Sequence, residues 1–323
     1  MIWMWIAIAL IACYAVFLFG PALVGYLMIF RGAPGKDVSA ITSPDGQLHP
    51  YAALLRSANE RLMNLPHEEV SIRSNDGITL TGTYFDRKRP KTAIFVHGYR
   101  TDPQVNFSVQ AEAFARHGYN LLLIRQRGHA PGSKDRCTMG LRERFDAAAW
   151  NDWALSTDGV TETVLYGISM GAVSIALGAD RFDPEKTRAM LLDCGFRSPY
   201  EQIGLDCARR HIPPWTMLPL IRLFAKLFLS VDIREKTDTH LHKTSVPCFF
   251  LHGKKDLTVP YETGLAQYEA CAAKKAFFTA ENAGHTESFL SDPERAENEI
   301  FTFLGEEQTG MNKTGGECTC LNS

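Results

Sequence analysis

Gly167-Ile168-Ser169-Met170-Gly171 sets a serine between two glycines, the G-x-S-x-G spacing of a nucleophile held on a sharp strand-to-helix turn. The glycines let neighbouring chain approach where a side chain would clash. Context supports the reading: Thr163 to Tyr166 just before is strand-like, and Ala172 to Leu177 just after suits a helix. Serine is a weak nucleophile at neutral pH, so it needs a base, and the base needs an orienting carboxylate. The chemistry implied is acyl transfer through a covalent serine adduct.

Such residues work only if a scaffold brings them together, and the pattern of apolar runs describes one. Glu69 to Arg73 and Ile78 to Tyr84 alternate around Asn75-Asp76-Gly77, a hairpin signal. Strands are then expected at Thr92 to Val96, Asn120 to Ile124, Thr163 to Tyr166, Ala189 to Leu192, Cys248 to Leu251 and Ala276 to Phe278. Helices are expected at Phe107 to His117, Leu141 to Leu155, Met170 to Gly178, Tyr261 to Ala272 and Pro293 to Phe303. Strands alternating with helices predict an α/β fold with a mostly parallel sheet, helices on both faces and an antiparallel edge. Phe196 to Thr239 breaks that rhythm and reads as a small helical lid insertion.

On these motifs the chain resembles the α/β-hydrolase superfamily over roughly residues 68–305. The resemblance rests on Phe95-Val96-His97-Gly98-Tyr99, Arg127-Gly128-His129, the turn at Ser169, His252-Gly253-Lys254-Lys255-Asp256 and Gly284-His285, in that order. Within the superfamily it is most like bacterial membrane-anchored serine hydrolases of esterase type. The resemblance implies a triad of Ser169, Asp256 and His285, since the acid precedes the base along such chains. Asp193 is the rival acid. It also implies an oxyanion hole made by the backbone N–H groups of Met170 and Tyr99. Arg100 is expected to be an exposed loop arginine or to meet an acidic substrate group. His97, His129 and His252 are expected to brace loops, and His211, His240 and His242 to face solvent. Where relatives often have Gly-His-Gly-x-Ser, this chain has Gly128-His129-Ala130-Pro131-Gly132-Ser133, which alters that loop. Ser169 argues against the aspartate-nucleophile epoxide hydrolases and dehalogenases of the fold.

Composition narrows the field. The chain has 323 residues, 45% hydrophobic, with 34 basic and 36 acidic side chains and a net charge of −2. That balance excludes bulk disorder and argues against a nucleic-acid partner. There is no H-E-x-x-H, Walker loop or G-x-G-x-x-G, so neither a metal nor an organic cofactor is expected. Eight cysteines show no disulfide framework, and the Cys318/Cys320 tail lacks partners for zinc. The final Cys320-Leu321-Asn322-Ser323 is a poor prenylation box. Asn106 and Asn312 begin formal glycosylation sequons.

Charge is unevenly spread, because residues 1–30 carry none. That run reads as a single-pass membrane anchor with a break at Gly20-Pro21. Arg31 and Lys36 behind it point to a cytoplasmic catalytic part by the positive-inside rule. The expected organisation is 1–30 transmembrane anchor, 31–66 linker and lead-in helix, 67–305 hydrolase domain with a lid at about 196–239, and 306–323 flexible tail. The expected function is hydrolysis of a carboxylic ester of a small-molecule or lipid-like acyl substrate beside a bilayer. A thioesterase, an amidase or peptidase, an acyltransferase to an acceptor other than water, and an inactive scaffold are the alternatives.

Overall fold

The computed structural model describes residues 1–44 and 46–306. Its strands are β1 (Glu68–Arg73), β2 (Thr79–Phe85), β3 (Lys91–Val96), β4 (Asn120–Ile124), β5 (Glu162–Ile168), β6 (Thr187–Asp193), β7 (Cys248–Gly253) and β8 (Lys275–Ala280). They form one sheet in the order β1-β2-β4-β3-β5-β6-β7-β8. β2 is antiparallel to β1 and β4, and every pairing from β4 through β3 to β8 is parallel. The hairpin turns at Gly77, whose φ of 82° suits glycine, with Ser74 N–H donating to the Ile78 carbonyl.

Three α-helices precede the sheet: α1 (Ile2–Phe30), α2 (Val38–Ile41) and α3 (Ala52–Met63). α4 (Pro103–Arg116), α5 (Glu143–Ser156) and α6 (Met170–Leu177) follow β3, β4 and β5. Between β6 and β7 lie α7 (Pro199–Arg209), α8 (Pro214–Leu229) and α9 (Thr237–Leu241), and α10 (Tyr261–Ala270) and α11 (Pro293–Phe303) complete the chain's described helices. α4 starts four residues before its expected first residue because Asp102 caps it and Pro103 takes a first-turn position, a start signal visible in the sequence.

The period of two along each strand divides the core. Phe95, Leu121, Leu123, Tyr166 and Leu191 face α3, α4 and α11. Ile94, Leu122, Leu165, Leu192 and Phe250 point the other way, toward α5, α6 and α10. A strand buried on both faces has no polar side to spare, hence the near-continuous apolar runs.

A third apolar cluster joins α1, α7 and α8 to Met170 and Val173 of α6. It corrects the reading of the N-terminus. α1 runs unbroken through Gly20 and Pro21, and Ala22, Tyr26 and Phe30 are buried in the protein's own core. Tyr26 packs on Phe224 and Phe228 of α8. Among the described residues no helix is long and apolar enough to cross a membrane. The expected single-pass anchor, and with it the side of a bilayer on which the catalytic part was placed, is therefore withdrawn. The expected tail from residue 307 on, with Cys318, Cys320 and the Asn312 sequon, lies outside the described residues.

Candidate active site

The residues singled out by type gather at the carboxyl ends of the parallel strands, where open α/β sheets place their ligand crevice. Ser169 follows β5 directly and opens α6 with φ 53° and ψ −117°, a strained conformation for a residue with a Cβ. Two close approaches hold it. A Cβ on Gly171 would stand 1.8 Å from the Val96 carbonyl oxygen, and one on Gly167 would stand 2.5 Å from Ala172 N. Ser169 N–H also donates to the Asp193 carbonyl at 2.8 Å. The hydroxyl is thereby fixed above the sheet edge at the start of a helix.

His285 lies in the loop after β8, and its Nε2 accepts from Ser169 Oγ at 3.0 Å. Its Nδ1 donates to Asp256 Oδ2 at 2.7 Å. Asp256 follows β7, and its Oδ1 accepts from the N–H groups of Thr258 (2.7 Å) and Val259 (2.8 Å). Burial pushes the Asp256 carboxyl up, but the facing His252 and His285 and the Val259 N–H outweigh it and hold the group well below the ordinary carboxylate range. An ionised, fully buried carboxylate thus fixes the tautomer of a histidine that touches a serine hydroxyl.

Asp193 is placed differently. It ends β6 in full burial, and neither carboxyl oxygen has a hydrogen-bond partner among the described residues. Burial raises its pKa to about 6. Cys194, Asp256 and His285 offer three potential metal donors within 4.8 Å of one another. Asp256 and His285, however, are already committed to each other.

Met170, in the first turn of α6, has no acceptor for its N–H within the helix. Tyr99 sits in the loop after β3, between two anchored residues. Gly98 N–H donates to Asn106 Oδ1 at 2.8 Å, and Arg100 N–H donates to His129 Nε2 at 3.0 Å. His129 Nδ1 in turn donates to the Arg127 carbonyl, and His97 donates through Nδ1 to the Gly98 carbonyl while accepting the Gln126 N–H at Nε2. Burial lowers both histidines below their ordinary range, so they stay neutral and brace loops, the role expected of them. His252, likewise, donates through Nε2 to the Val259 carbonyl. Arg100 is half-buried rather than free in the loop, and its guanidinium donates to the carbonyl of Met28 in α1.

Two supporting residues, Gln126 and Glu143, had no signal in the sequence, and a third, Arg127, stood there only as part of the Arg127-Gly128-His129 motif. Gln126 accepts from Ser174 Oγ and donates to the His97 carbonyl, tying α6 to the β3 loop. Glu143 accepts from the N–H groups of Thr138 and Gly140 and so closes the loop before α5. Arg127 pairs with Asp146 at 2.7 Å in full burial and with Asp76 at the hairpin.

Comparison with known proteins gives a consistent picture. A family described as the alpha/beta hydrolase family matches residues 93–299. An uncharacterized protein of Bacillus subtilis, YqkD, is 26% identical over 218 residues, covering 67% of this chain and 71% of YqkD. The fold is shared with an esterase of Pyrococcus furiosus, Pf2001, at a TM-score of 0.61 and 20% identity over 76% of this chain and 94% of that one. It is also shared with the esterase EaEST of Exiguobacterium antarcticum, at a TM-score of 0.53 and 18% identity over 73% and 99%.

Proposed function

The chain belongs to the alpha/beta hydrolase family, and on that premise we propose that it is a serine hydrolase that cleaves carboxylic esters through an acyl-enzyme. The observation that carries the proposal is the unbroken hydrogen-bond series from Ser169 Oγ through His285 to Asp256. Ser169 Oγ attacks the ester carbonyl carbon while His285 Nε2 takes its proton. Asp256 stays ionised and holds the imidazolium that results. The carbonyl electron pair moves onto oxygen, which the N–H groups of Met170 and Tyr99 receive. Collapse expels the alcohol, protonated by His285, and leaves the acyl group on Ser169. Water then attacks with the same base, releasing the acid and restoring the serine.

Two further points support an ester with an apolar acyl group. Structural neighbours named as esterases share the fold. The apolar layer of α1, α7 and α8 also packs directly on Met170, next to the nucleophile. In this reading the helices between β6 and β7 form a lid over residues of the 67–305 domain.

The test is labelling with a fluorophosphonate probe, followed by turnover of p-nitrophenyl esters of increasing chain length beside matched thioesters and peptide amides. Wild type should label and Ser169→Ala should not, with esters turned over fastest. Equal labelling of the variant would overturn the mechanism, and faster thioester or amide cleavage would overturn the ester assignment.

A further inference from the structure

The loop that carries Tyr99 hangs from the end of α1. Tyr99 Oη donates to the Ile29 carbonyl at 2.7 Å, and the Arg100 guanidinium donates to the Met28 carbonyl at 2.6 Å. Both acceptors lie in the last turn of a helix, where carbonyls lack intrahelical partners and carry the negative end of the helix dipole. A phenol and a guanidinium are therefore well matched to them. Burial pushes the Tyr99 phenol up to about 12, which keeps it a donor.

A second attachment follows immediately. Lys36 N–H donates to the Arg100 carbonyl and Asp102 N–H to the Lys36 carbonyl, each at 3.0 Å, so Lys36 bridges Thr101 as a one-residue parallel ladder. Gly35 makes the approach possible, since a Cβ there would stand 2.5 Å from the Thr101 carbonyl carbon. Gly32 does the same on the neighbouring loop, where a Cβ would meet the Asp135 carbonyl oxygen at 2.3 Å and that of Gly128 at 2.7 Å. Farther along, the Gln47 side-chain amide donates to the carbonyl of His285. The lead-in segment thus touches both sides of the candidate site, and all of it precedes the family-matched region, which begins at residue 93.

We infer that residues 28–36 are a positioning frame for the oxyanion loop: Tyr99 and Arg100 hang that loop on the terminal carbonyls of α1, so the aim of the Tyr99 N–H depends on a segment outside the matched hydrolase region. The inference rests on the serine-hydrolase reading of the site. In this reading Tyr99 acts in two separable ways, through the backbone N–H assigned to the oxyanion hole and through a side chain that only positions. Tyr99→Phe removes the second and spares the first. Arg100→Ala removes the companion bond.

Both variants and their combination are compared with wild type in the full chain, on a p-nitrophenyl ester and on a trifluoromethyl ketone inhibitor whose serine adduct places an oxyanion in the same hole. Deleting an oxyanion donor outright costs roughly 10²–10³ in kcat, so misaiming one should cost about tenfold. The expected result is kcat about tenfold lower, KM within about twofold, the inhibition constant weakened by the same factor as kcat, and a melting temperature lowered by only about 2–4 °C per lost hydrogen bond. Unchanged kcat and inhibition constant would overturn the frame, as would a change confined to KM, which would make Tyr99 a pocket wall. If the double variant fails to fold, Tyr99→Phe, which loses a single atom, decides alone. A wild type that neither labels with fluorophosphonate nor turns over ester removes the underlying reading, whereas an active wild type matched by its variants removes only the frame.

Discussion

Asp256 Oδ2 sits 2.7 Å from His285 Nδ1 while its other oxygen takes two backbone N–H groups. The carboxylate is therefore held from three directions, by two backbone N–H groups on one oxygen and by the histidine on the other. Asp256→Asn keeps the shape but can present an N–H to Nδ1 and so favour the wrong tautomer. Its kcat on a p-nitrophenyl ester should fall by roughly 10³–10⁴ with little change in KM. Steady-state kinetics on a variant with an unchanged melting temperature checks this, and a loss smaller than tenfold would remove Asp256 from the mechanism.

Asp193 gives the opposite expectation. A carboxyl whose pKa burial raises to about 6 binds more protons folded than unfolded. Its favourable linkage is complete below the ordinary carboxylate value near 3.8 and is lost as pH rises through 6. Above that pH the protein carries an ionised buried carboxylate that makes no full hydrogen bond among the described residues, and nearby Ser288, His252 and His285 offset its burial only in part. Asp193→Asn should therefore be more stable than wild type at pH 8, by about 3 kcal/mol at most, with the difference vanishing near pH 4. Urea midpoints at the two pH values measure it. Activity should stay within a few-fold of wild type, because it is Asp256 that meets His285.

Much of this arrangement was legible because local signals and tertiary role coincide. The Asn75-Asp76-Gly77 turn, the buried runs of β3 to β7 and the glycine-flanked Ser169 each need one residue type for a local reason. The resemblance in motif order then placed Asp256 and His285. The N-terminus was misread because an apolar run that docks on α8 has the same composition as one bound for a bilayer, and composition does not reveal the partner. The contacts made by carbonyls are also silent: nothing in Met28 or Ile29 as residue types announces that their main-chain oxygens receive Arg100 and Tyr99. His240 was expected to face solvent because the carboxylates that enclose it come from other elements.

Strain at the nucleophile makes stability and function pull apart. Ser169 at φ 53° and ψ −117° occupies a region that glycine enters without a Cβ penalty. Ser169→Gly should be more stable than Ser169→Ala by about 1 kcal/mol or more, although neither should turn over ester. Thermal or urea unfolding of the pair tests it, and equal stabilities would show that the surrounding structure does not hold Ser169 under strain. Gly171→Ala should behave in the opposite sense. Its Cβ would lie 1.8 Å from the Val96 carbonyl oxygen, forcing α6 away from β3. A loss of more than about 3 kcal/mol is expected.

His240 joins three elements. Its Nδ1 lies 2.9 Å from Asp180 Oδ1 in the turn after α6, and its Nε2 lies 2.9 Å from Glu235 Oε1 just before α9. Arg144 of α5 completes the group by pairing with Glu235. Glu235, with Asp180 behind it, raises the His240 pKa above 6.5 against the opposing effect of burial. The same histidine is the largest cause of the Glu235 carboxyl being held down at about 2. A raised histidine contributes stability in full below its unfolded value near 6.5 and loses it as pH climbs through the higher folded value. The end of the insertion should therefore be pinned to the core at pH 6 and progressively released above pH 7. Relative to wild type, His240→Gln should be less stable at pH 6 by about 1 kcal/mol, the usual worth of a hydrogen bond, and the gap should narrow as pH is raised from 6 toward 9. Hydrogen exchange of the α9 amides across that range reads the release directly. Protection in wild type that does not vary with pH would show that His240 stays in one protonation state.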